Sequence, residues 1–512
     1  MEFMVEQFSS INLLSQFWIS LFLIIPIVLI ARTVVAGTRY SPILIVVIFG
    51  LSMGFILVET GVAEPGIGSF PMINMIASST IIALVVTFFV GGQALRKMLT
   101  KESKENDEMV IPSDEESVLG TTRTQIVMIV RAFFLLIGIE GATRVLIGQS
   151  ESALNEVYPL IAYIGLVGAI IFIDNRAKIT NKPLYIRKGI IEIIGIIIVL
   201  YLSSLISQWI VPVIALPQIF FTMIISSVAG AFLYRWSLGP TIKALLFAGI
   251  PVVLAGNFMV GGSRMGEAFL VEGVTSVLAY SFFGQLFFMF GGIALMMFFA
   301  KTDHIRNLAP GMAGSLSHSG LTGACTAGDL GEEAQRRAPI MVNMPFFGHI
   351  FVFSILAVSA DRGNLWIWPS VVVVLIGLIL TFISMKVLQK ANGEDAGEIK
   401  ALMQFSFGWQ VVSVFGSLLL LTLGSMPLEY AGMGTTSALS HFGLFAATQG
   451  GIFGSEAASL IPFVFSMPFL VHPVVFFMFG KAMKDNGRMP VKTVYIITAI
   501  GLIGILVSAF LL

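Results

Sequence analysis

Long apolar stretches separated by short polar segments recur from one end of this 512-residue chain to the other. Each holds about twenty residues, enough for a helix to cross the roughly 30 Å hydrocarbon core of a bilayer. Backbone groups find no water in that core, so helix is the expected conformation of every crossing. The pattern predicts fourteen spans, near residues 14–35, 41–60, 74–95, 124–148, 157–174, 189–213, 217–234, 243–262, 272–300, 338–360, 365–385, 402–425, 458–480 and 493–511.

Two further stretches, 308–335 and 427–456, are only weakly apolar and rich in glycine. They are too interrupted to cross the bilayer as regular helices. Glycine lets a chain turn inside the membrane while its backbone groups face a cavity. The pattern therefore predicts an all-α, polytopic membrane protein with about fourteen transmembrane helices and two re-entrant hairpins.

Composition agrees with lipid as the main solvent. Hydrophobic residues make up 56% of the chain and charged residues only 11%, against roughly a quarter in soluble domains. The formal net charge of zero gives no basic field for a nucleic acid. The single cysteine, Cys325, excludes an intramolecular disulfide framework and a multi-cysteine metal site. The N-terminus, MEFMVEQFSS, is acidic and lacks a signal-peptide cleavage pattern, so the first span is expected to be retained.

The positive charges predict the orientation. With the N-terminus outside and both Gly-rich stretches returning to the side they left, the inside loops hold 25 of the 29 Lys and Arg residues. Outside loops hold only Arg264 and Arg362. This bias favours a multi-pass protein of a bacterial inner membrane with its N-terminus outside. The polar segment 97–123 reads as a cytoplasmic linker.

An internal repeat gives the strongest architectural signal. Residues 317–349 align without gaps to residues 440–472, and 14 of the 33 positions are identical. Four of the five histidines form two of the matched pairs, His318 with His441 and His349 with His472. A shared apolar composition does not explain histidine, proline and glutamate matching in register. A weaker echo relates FFVGG at 88–92 to FMVGG at 258–262.

The predicted topology makes the two copies enter the membrane from opposite sides. Each copy is preceded by one span and followed by two, an odd number of crossings, so consecutive copies are inverted. Transporters built from inverted halves place their site near the midplane. The predicted organisation is N-terminal helices 1–96, linker 97–123, central helices 124–262, a unit with the first hairpin 263–392, and an inverted unit with the second hairpin 393–512.

Polar residues of the repeat are the candidate site. Broken helices offer positive N-terminal ends to an anion and free carbonyls to Na⁺. The histidines could bind substrate, carry a proton, or bond the opposite hairpin; the glutamates could couple a cation or anchor the hairpin. The substrate-binding candidates are Ser317, His318, Thr322, Thr326, Asn343, Ser440, His441, Thr448 and Gln449. The ion-coupling candidates are Glu333, Glu456 and Asp329.

Charged residues inside predicted spans are costly and often functional. Glu140 and Arg144 lie four residues apart on one helical face, which suits a self-neutralising structural pair or, alternatively, a substrate gate. Arg131 shares their span. Glu192 lies near the inside end of its own span, where its side chain is expected to reach the headgroups.

These observations favour a secondary transporter over an enzyme, because the phosphate-binding loop and the HExxH, CxxC and GxSxG patterns are absent from the sequence. The function expected is symport of a small organic anion, an amino acid or carboxylate, driven by Na⁺ through an elevator-like displacement. Two alternatives stay open. A cation/proton antiporter would use the glutamates and histidines, and an ion channel would line a pore with the opposed hairpins.

The run at 190–235 (IIEIIGIIIVLYLSSLISQWIVPVIALPQIFFTMIISSVAGAFLYR) and the Ser-His-x-Gly openings at 317–320 and 440–443 resemble the bacterial sodium/glutamate symporter family. The similarity covers about half of the chain. It implies hairpin-containing transport units, Na⁺ as the coupling ion, and a homodimer formed through scaffold helices.

Overall fold

The computed structural model describes residues 13–35, 42–67, 70–99, 122–148, 157–172, 182–210, 218–299, 351–352, 354–360, 362–390, 396–424, 426–439, 460–461, 463–464, 466–471, 474–475, 478 and 490–510. Within these residues every regular element is a helix. The α-helices are α1 Leu13–Val35, α2 Pro42–Glu59, α3 Pro71–Ser78, α4 Thr80–Leu99, α5 Thr122–Ile147, α6 Tyr158–Ile171, α7 Lys182–Ile210, α8 Gln218–Phe232, α9 Pro240–Ala244, α10 Ile250–Ser263, α11 Met265–Ala268, α12 Val274–Phe299, α13 Ile367–Leu388, α14 Ala396–Leu423, α15 Leu428–Leu439 and α16 Val491–Phe510.

Nine helical stretches of the described chain are long and apolar enough to cross a membrane. They are Ser15–Val34, Pro71–Lys97, Gln125–Ile147, Lys182–Ile210, Pro240–Ser263, Val274–Phe299, Ile367–Leu388, Gly397–Leu423 and Val491–Phe510. Three shorter apolar helices correspond to α2, α6 and α8. All twelve coincide with stretches predicted from the sequence. The described chain is therefore that of a membrane-embedded helical protein, while the remaining predicted spans, 338–360 and 458–480, lie largely outside the described residues.

The predicted span 74–95 is not one continuous helix. It is broken between α3 and α4, where the hydroxyls of Ser79 and Thr80 donate to carbonyls three residues earlier, at 2.7 and 2.8 Å. Hydroxyl residues compete in this way with the helical hydrogen bonds of the backbone. The side-chain amide of Asn257 donates to Thr80 Oγ1 at 3.2 Å and to Ala77 O at 3.4 Å, which fastens the break to α10.

A second irregularity separates α9 from α10, where Leu245–Gly249 forms a π-helical turn. Pro251 follows it and has no N–H to give to the carbonyl of Phe247, four residues earlier. The Arg32 guanidinium of α1 donates to that carbonyl and lies over the Phe247 ring, 3.9 Å from its centroid. The carbonyl released by proline is thus satisfied by a side chain from another helix.

Small residues bring two helix pairs into backbone contact in the first half of the chain. Helix α2 packs along α10, and α4 packs along α8. A Cβ added at Gly54 of α2 would lie 2.0 Å from Met259 O of α10, and one at Gly92 of α4 would lie 2.0 Å from Ser227 O of α8. Such close approach is how membrane helices associate without a hydrophobic driving force.

The second half repeats this mode of packing with other helices. Helix α12 packs along α16, and α13 packs along α14. Gly377 and Gly408 meet at the second crossing, where a Cβ on Gly408 would lie 2.7 Å from Gly377 O. At the first crossing, Gly501 of α16 is pressed against the backbone of Phe287. Along the chain, α12 precedes the first Gly-rich stretch, α13 and α14 lie between the two stretches, and α16 follows the second.

Candidate functional site

All site residues predicted from the sequence lie outside the described residues. These are Ser317, His318, Thr322, Thr326, Asn343, Ser440, His441, Thr448 and Gln449 for substrate, and Glu333, Glu456 and Asp329 for the coupling ion. The described helices nevertheless lead to them, because α15 occupies the start of the stretch 427–456 and ends at Leu439, directly before Ser440. The helices packed around α15 are therefore the surroundings of the segment that directly precedes the second copy of the repeat.

Helix α14 carries a polar stripe along its length. Ser406, Gln410, Ser413 and Ser417 follow one another at spacings of four, three and four residues, which keeps them on one helical face. All four are buried, with exposed fractions of 2%, 0%, 3% and 7%. Since hydrocarbon offers no hydrogen bonds, a polar stripe of this kind turns toward protein.

Helix α12 presents polar residues on the face that meets α15 and α14. Tyr280 and Ser281, which contact α15, are fully buried, and Gln285 farther along α12 is fully buried as well. The Tyr280 ring packs against Gly434 of α15, where a Cβ would lie 2.9 Å from the ring. Its hydroxyl lies beside the hydroxyls of Ser417 and Thr435, but neither contact has the geometry of a hydrogen bond.

Helices α12 and α14 contact each other at two levels. Trp409 of α14 donates its indole N–H to Phe288 O of α12 at 2.8 Å. Tyr280 of α12 approaches Ser417 of α14 at the other level. Residue numbers run in opposite directions between these contacts, so α12 and α14 are antiparallel.

Helix register then places Gln285 and Ser413 at one level, between the two bridging aromatic side chains. Both lie near the middle of their helices, since α12 is Val274–Phe299 and α14 is Ala396–Leu423. We call Tyr280, Gln285, Gln410, Ser413 and Ser417 the polar seam. The five side chains are uncharged and buried, and they carry hydroxyl and amide oxygens.

A charged cluster lies elsewhere, between α3, α5 and α6. Arg144 Nε donates to Glu140 Oε1 at 2.8 Å, and Arg144 Nη1 donates to the Tyr158 hydroxyl at 2.9 Å. The Ser78 hydroxyl lies 3.2 Å from both Glu140 Oε1 and Arg144 Nη2. The predicted pair is therefore formed, and the guanidinium is engaged on three sides. This arrangement suits a structural clamp better than a gate that must release its charge.

We expect Glu140→Gln to lower the free energy of unfolding by at most about 1 kcal/mol, because the pair is partly exposed, at 28% for Arg144 and 15% for Glu140. Solute uptake should be retained. The thermal midpoint in detergent and uptake into proteoliposomes measure the two quantities. Uptake lost at an unchanged midpoint would instead identify the cluster as a gate.

Arg131 and Glu192 lie close to each other, away from the Arg144 cluster. Arg131 lies about 20 Å along the helix from Arg144, and its Nε donates to Ala169 O at 3.2 Å. The expectation that Glu192 reaches the headgroups is wrong, since this residue is 6% exposed. Its carboxylate accepts hydrogen bonds from three backbone N–H groups at the start of α9, and it attracts the nearby Arg131 guanidinium. Backbone N–H groups at the start of a helix bind a carboxylate, so this side chain is held inside the protein.

No family model matches the chain, and neither a curated protein nor a solved structure gives a significant match to it.

Proposed function

We propose that the chain is a cation-coupled secondary transporter, driven by Na⁺, for a small organic anion such as an amino acid or carboxylate. The observation that carries the proposal is the gapless repeat of 317–349 in 440–472, with 14 of 33 positions identical. Two Gly-broken copies of one sequence are what an inverted-repeat transporter uses to build a midplane site from both sides of the membrane.

The packing of the neighbouring helices supports this proposal. The shift of 123 residues between the two copies also superimposes α12 on α14 and α13 on α16. Helix α12 packs along α16, while its counterpart α14 packs along α13, so each unit exchanges a helix partner with the other. The counterparts α12 and α14 run antiparallel, as the Trp409 and Tyr280 contacts require. Two units related by inversion have this reciprocal arrangement.

In the proposed architecture, fourteen helices cross a bacterial inner membrane with the N-terminus outside, and the stretches 308–335 and 427–456 are re-entrant hairpins. The units 263–392 and 393–512 move together against the helices before residue 263. This movement carries the bound solute across the membrane. The Gly-mediated crossings of α2 with α10 and α4 with α8 suit a rigid scaffold for that motion. The resemblance to sodium/glutamate symporters supports Na⁺ and a homodimer.

Transport in proteoliposomes tests the function. Amino acids and carboxylates are first screened for a rise in thermal midpoint with Na⁺ present and absent. We expect a stabilising solute to accumulate when an inward Na⁺ gradient is imposed. His318→Gln and His441→Gln should reduce this uptake, whereas His304→Gln, at the one histidine outside the repeat, should leave it unchanged.

Three other outcomes would contradict the proposal. Uptake that ignores every imposed ion gradient would exclude coupling. A change of lumenal pH on adding Na⁺, with no organic solute present, would favour a cation/proton antiporter. Unitary currents in a planar bilayer would favour a channel.

A further inference from the structure

Four helix ends meet around the short segment 233–239, which joins α8 to α9. Near the end of α4, the side-chain amide of Gln93 donates to Trp236 O of this segment at 3.0 Å. Near the start of α7, the Lys188 ammonium donates to the Ser237 hydroxyl and lies 5.1 Å from the centroid of the Trp236 ring. The segment is therefore fixed between α4 and α7.

Positive side chains surround this segment. The guanidinium carbons of Arg96 and Arg235 lie 6.0 and 5.3 Å from the centroid of the Tyr234 ring. Lys188 is close enough to Lys243 for the two ammonium groups to repel each other. Arg96, Arg235 and Lys243 are exposed, and Lys188 is half-buried. We call Arg96, Lys188, Arg235 and Lys243 the basic patch.

The carboxylate that attracts Lys188 is that of Glu192, and this carboxylate is already engaged. It is buried, it accepts hydrogen bonds from three backbone N–H groups at the start of α9, and it attracts Arg131 as well. Lys188 therefore lies beside a second cation, Lys243, with little of this negative charge left for either. An anion bound next to the two lysines would relieve their repulsion.

The surroundings of the basic patch suit contact with lipid. Phe232, directly before the segment, is 81% exposed, and Ile191 and Ile194 of α7 are exposed as well. Tyr234 and Trp236 belong to the residue types that concentrate where hydrocarbon meets water. Exposed apolar side chains next to exposed cations match the two parts of an anionic lipid, which are its acyl chains and its headgroup.

We propose that the basic patch binds the headgroup of an anionic phospholipid, whose acyl chains lie against the exposed apolar side chains of α7 and α8. The phosphate oxygens accept charge-assisted hydrogen bonds from the ammonium and guanidinium groups. Clusters of Lys and Arg beside membrane helices bind anionic headgroups in this way. The inference concerns the lipid around the protein and does not depend on the proposed transport.

The test adds two lipids with the same acyl chains, anionic phosphatidylglycerol or zwitterionic phosphatidylcholine, to the delipidated full-length protein in a neutral detergent. The thermal midpoint of the wild type should rise with phosphatidylglycerol and much less with phosphatidylcholine. The double variant Arg235→Gln, Lys243→Gln should need about tenfold or more phosphatidylglycerol for half of this rise. Lys243→Gln alone, which leaves segment 233–239 unchanged, should show a smaller loss of affinity in the same direction.

The matched control is the double variant Lys386→Gln, Lys390→Gln, which removes the same charge from exposed positions at the end of α13. Its response to phosphatidylglycerol should equal that of the wild type. An equal loss of response in both double variants would show that diffuse surface charge attracts the lipid, and it would overturn the proposal. A wild-type midpoint that ignores phosphatidylglycerol, or that rises as much with phosphatidylcholine or with inorganic phosphate, would overturn it too.

Native mass spectrometry gives a second readout that does not depend on thermal stability. From an equal mixture of the two lipids, the wild type should retain phosphatidylglycerol in preference to phosphatidylcholine. The variants at Arg235 and Lys243 should lose this preference, and the control at Lys386 and Lys390 should keep it. An unchanged preference in the Arg235 and Lys243 variants would place the lipid elsewhere on the protein and overturn the assignment.

Discussion

Gly54→Ala is expected to destabilise the protein by about 2–3 kcal/mol, although it adds a single methyl group. The added Cβ would lie 2.0 Å from Met259 O and 2.9 Å from Ser263 N, both of which belong to the backbone of α10. A backbone atom cannot turn away as a flexible side chain does, so α2 and α10 must separate. To measure the loss, the purified protein is heated to a series of temperatures. The folded fraction that remains is determined by size-exclusion chromatography, which gives the thermal midpoint.

The matched control is Gly195→Ala, in the exposed middle of α7, where an added Cβ meets no atom within 4 Å. This change should be neutral or slightly stabilising, because alanine is the better helix former by about 1 kcal/mol. Gly92→Ala should reproduce the loss at the crossing of α4 with α8, since its Cβ would lie 2.0 Å from Ser227 O. Equal midpoints for Gly54→Ala and Gly195→Ala would contradict the close approach.

The positions of the helices could be predicted from the sequence because one physical requirement dominates in lipid. Backbone groups must bond within their own segment, so length and hydrophobicity suffice to place both ends of α1 and α16 within two residues, although α7 begins seven residues before its predicted span. Irregularities depend on finer chemistry. The break before Thr80 occurs at adjacent hydroxyl residues, and the π-helical turn precedes Pro251. Neither sequence pattern alone predicts an irregular helix, because contacts from a neighbouring helix, such as that of Asn257 with Thr80, are also needed.

Only part of the candidate site could be predicted from the sequence. The repeat identified 317–349 and 440–472, but none of its predicted site residues is described in the structure. The seam was missed, although the spacing of Ser406, Gln410, Ser413 and Ser417 is a signal that the sequence contains. Spacing gives the polar face of one helix and not the face opposite to it. The register of α12 against α14 becomes known only from the contact of Trp409 with Phe288 O.

The structure also explains the similarity of the fragments FFVGG at 88–92 and FMVGG at 258–262. The first lies on α4, which crosses α8, and the second lies on α10, which crosses α2. In both crossings the last glycine of the fragment admits a backbone carbonyl, with a Cβ on Gly92 or Gly262 placed 2.0 Å from the oxygen. The two fragments therefore have similar sequences because both crossings require a glycine at the point of closest contact.

Glu192→Leu is expected to have the largest effect on stability, a loss of about 3–5 kcal/mol in the free energy of unfolding. Its carboxylate accepts from the N–H groups of Gly239, Thr241 and Ile242, the latter two at 3.0 and 3.2 Å. Leucine leaves these buried donors without an acceptor and removes the negative charge beside Arg131. Glu192→Gln, which keeps one acceptor oxygen, should lose clearly less. Chemical or thermal unfolding in detergent provides the comparison.

The control is Glu267→Leu, because the Glu267 side chain is 56% exposed and its contact with Arg264 spans 3.4 Å, so little stability should be lost. Adding Arg131→Met to Glu192→Leu should recover part of the loss, since the unbalanced buried cation disappears with its partner. A double variant that costs the sum of the two single changes would show that the charges do not interact, and the loss of the three N–H acceptors alone would then explain the effect.

Because Glu192 is bound to the backbone of its neighbour by three hydrogen bonds, it holds α7 against α9 in every state that keeps this contact. Glu192→Gln protein that remains folded should therefore transport at the wild-type rate, and a selective loss of uptake would assign Glu192 to the moving part of the protein instead of the scaffold.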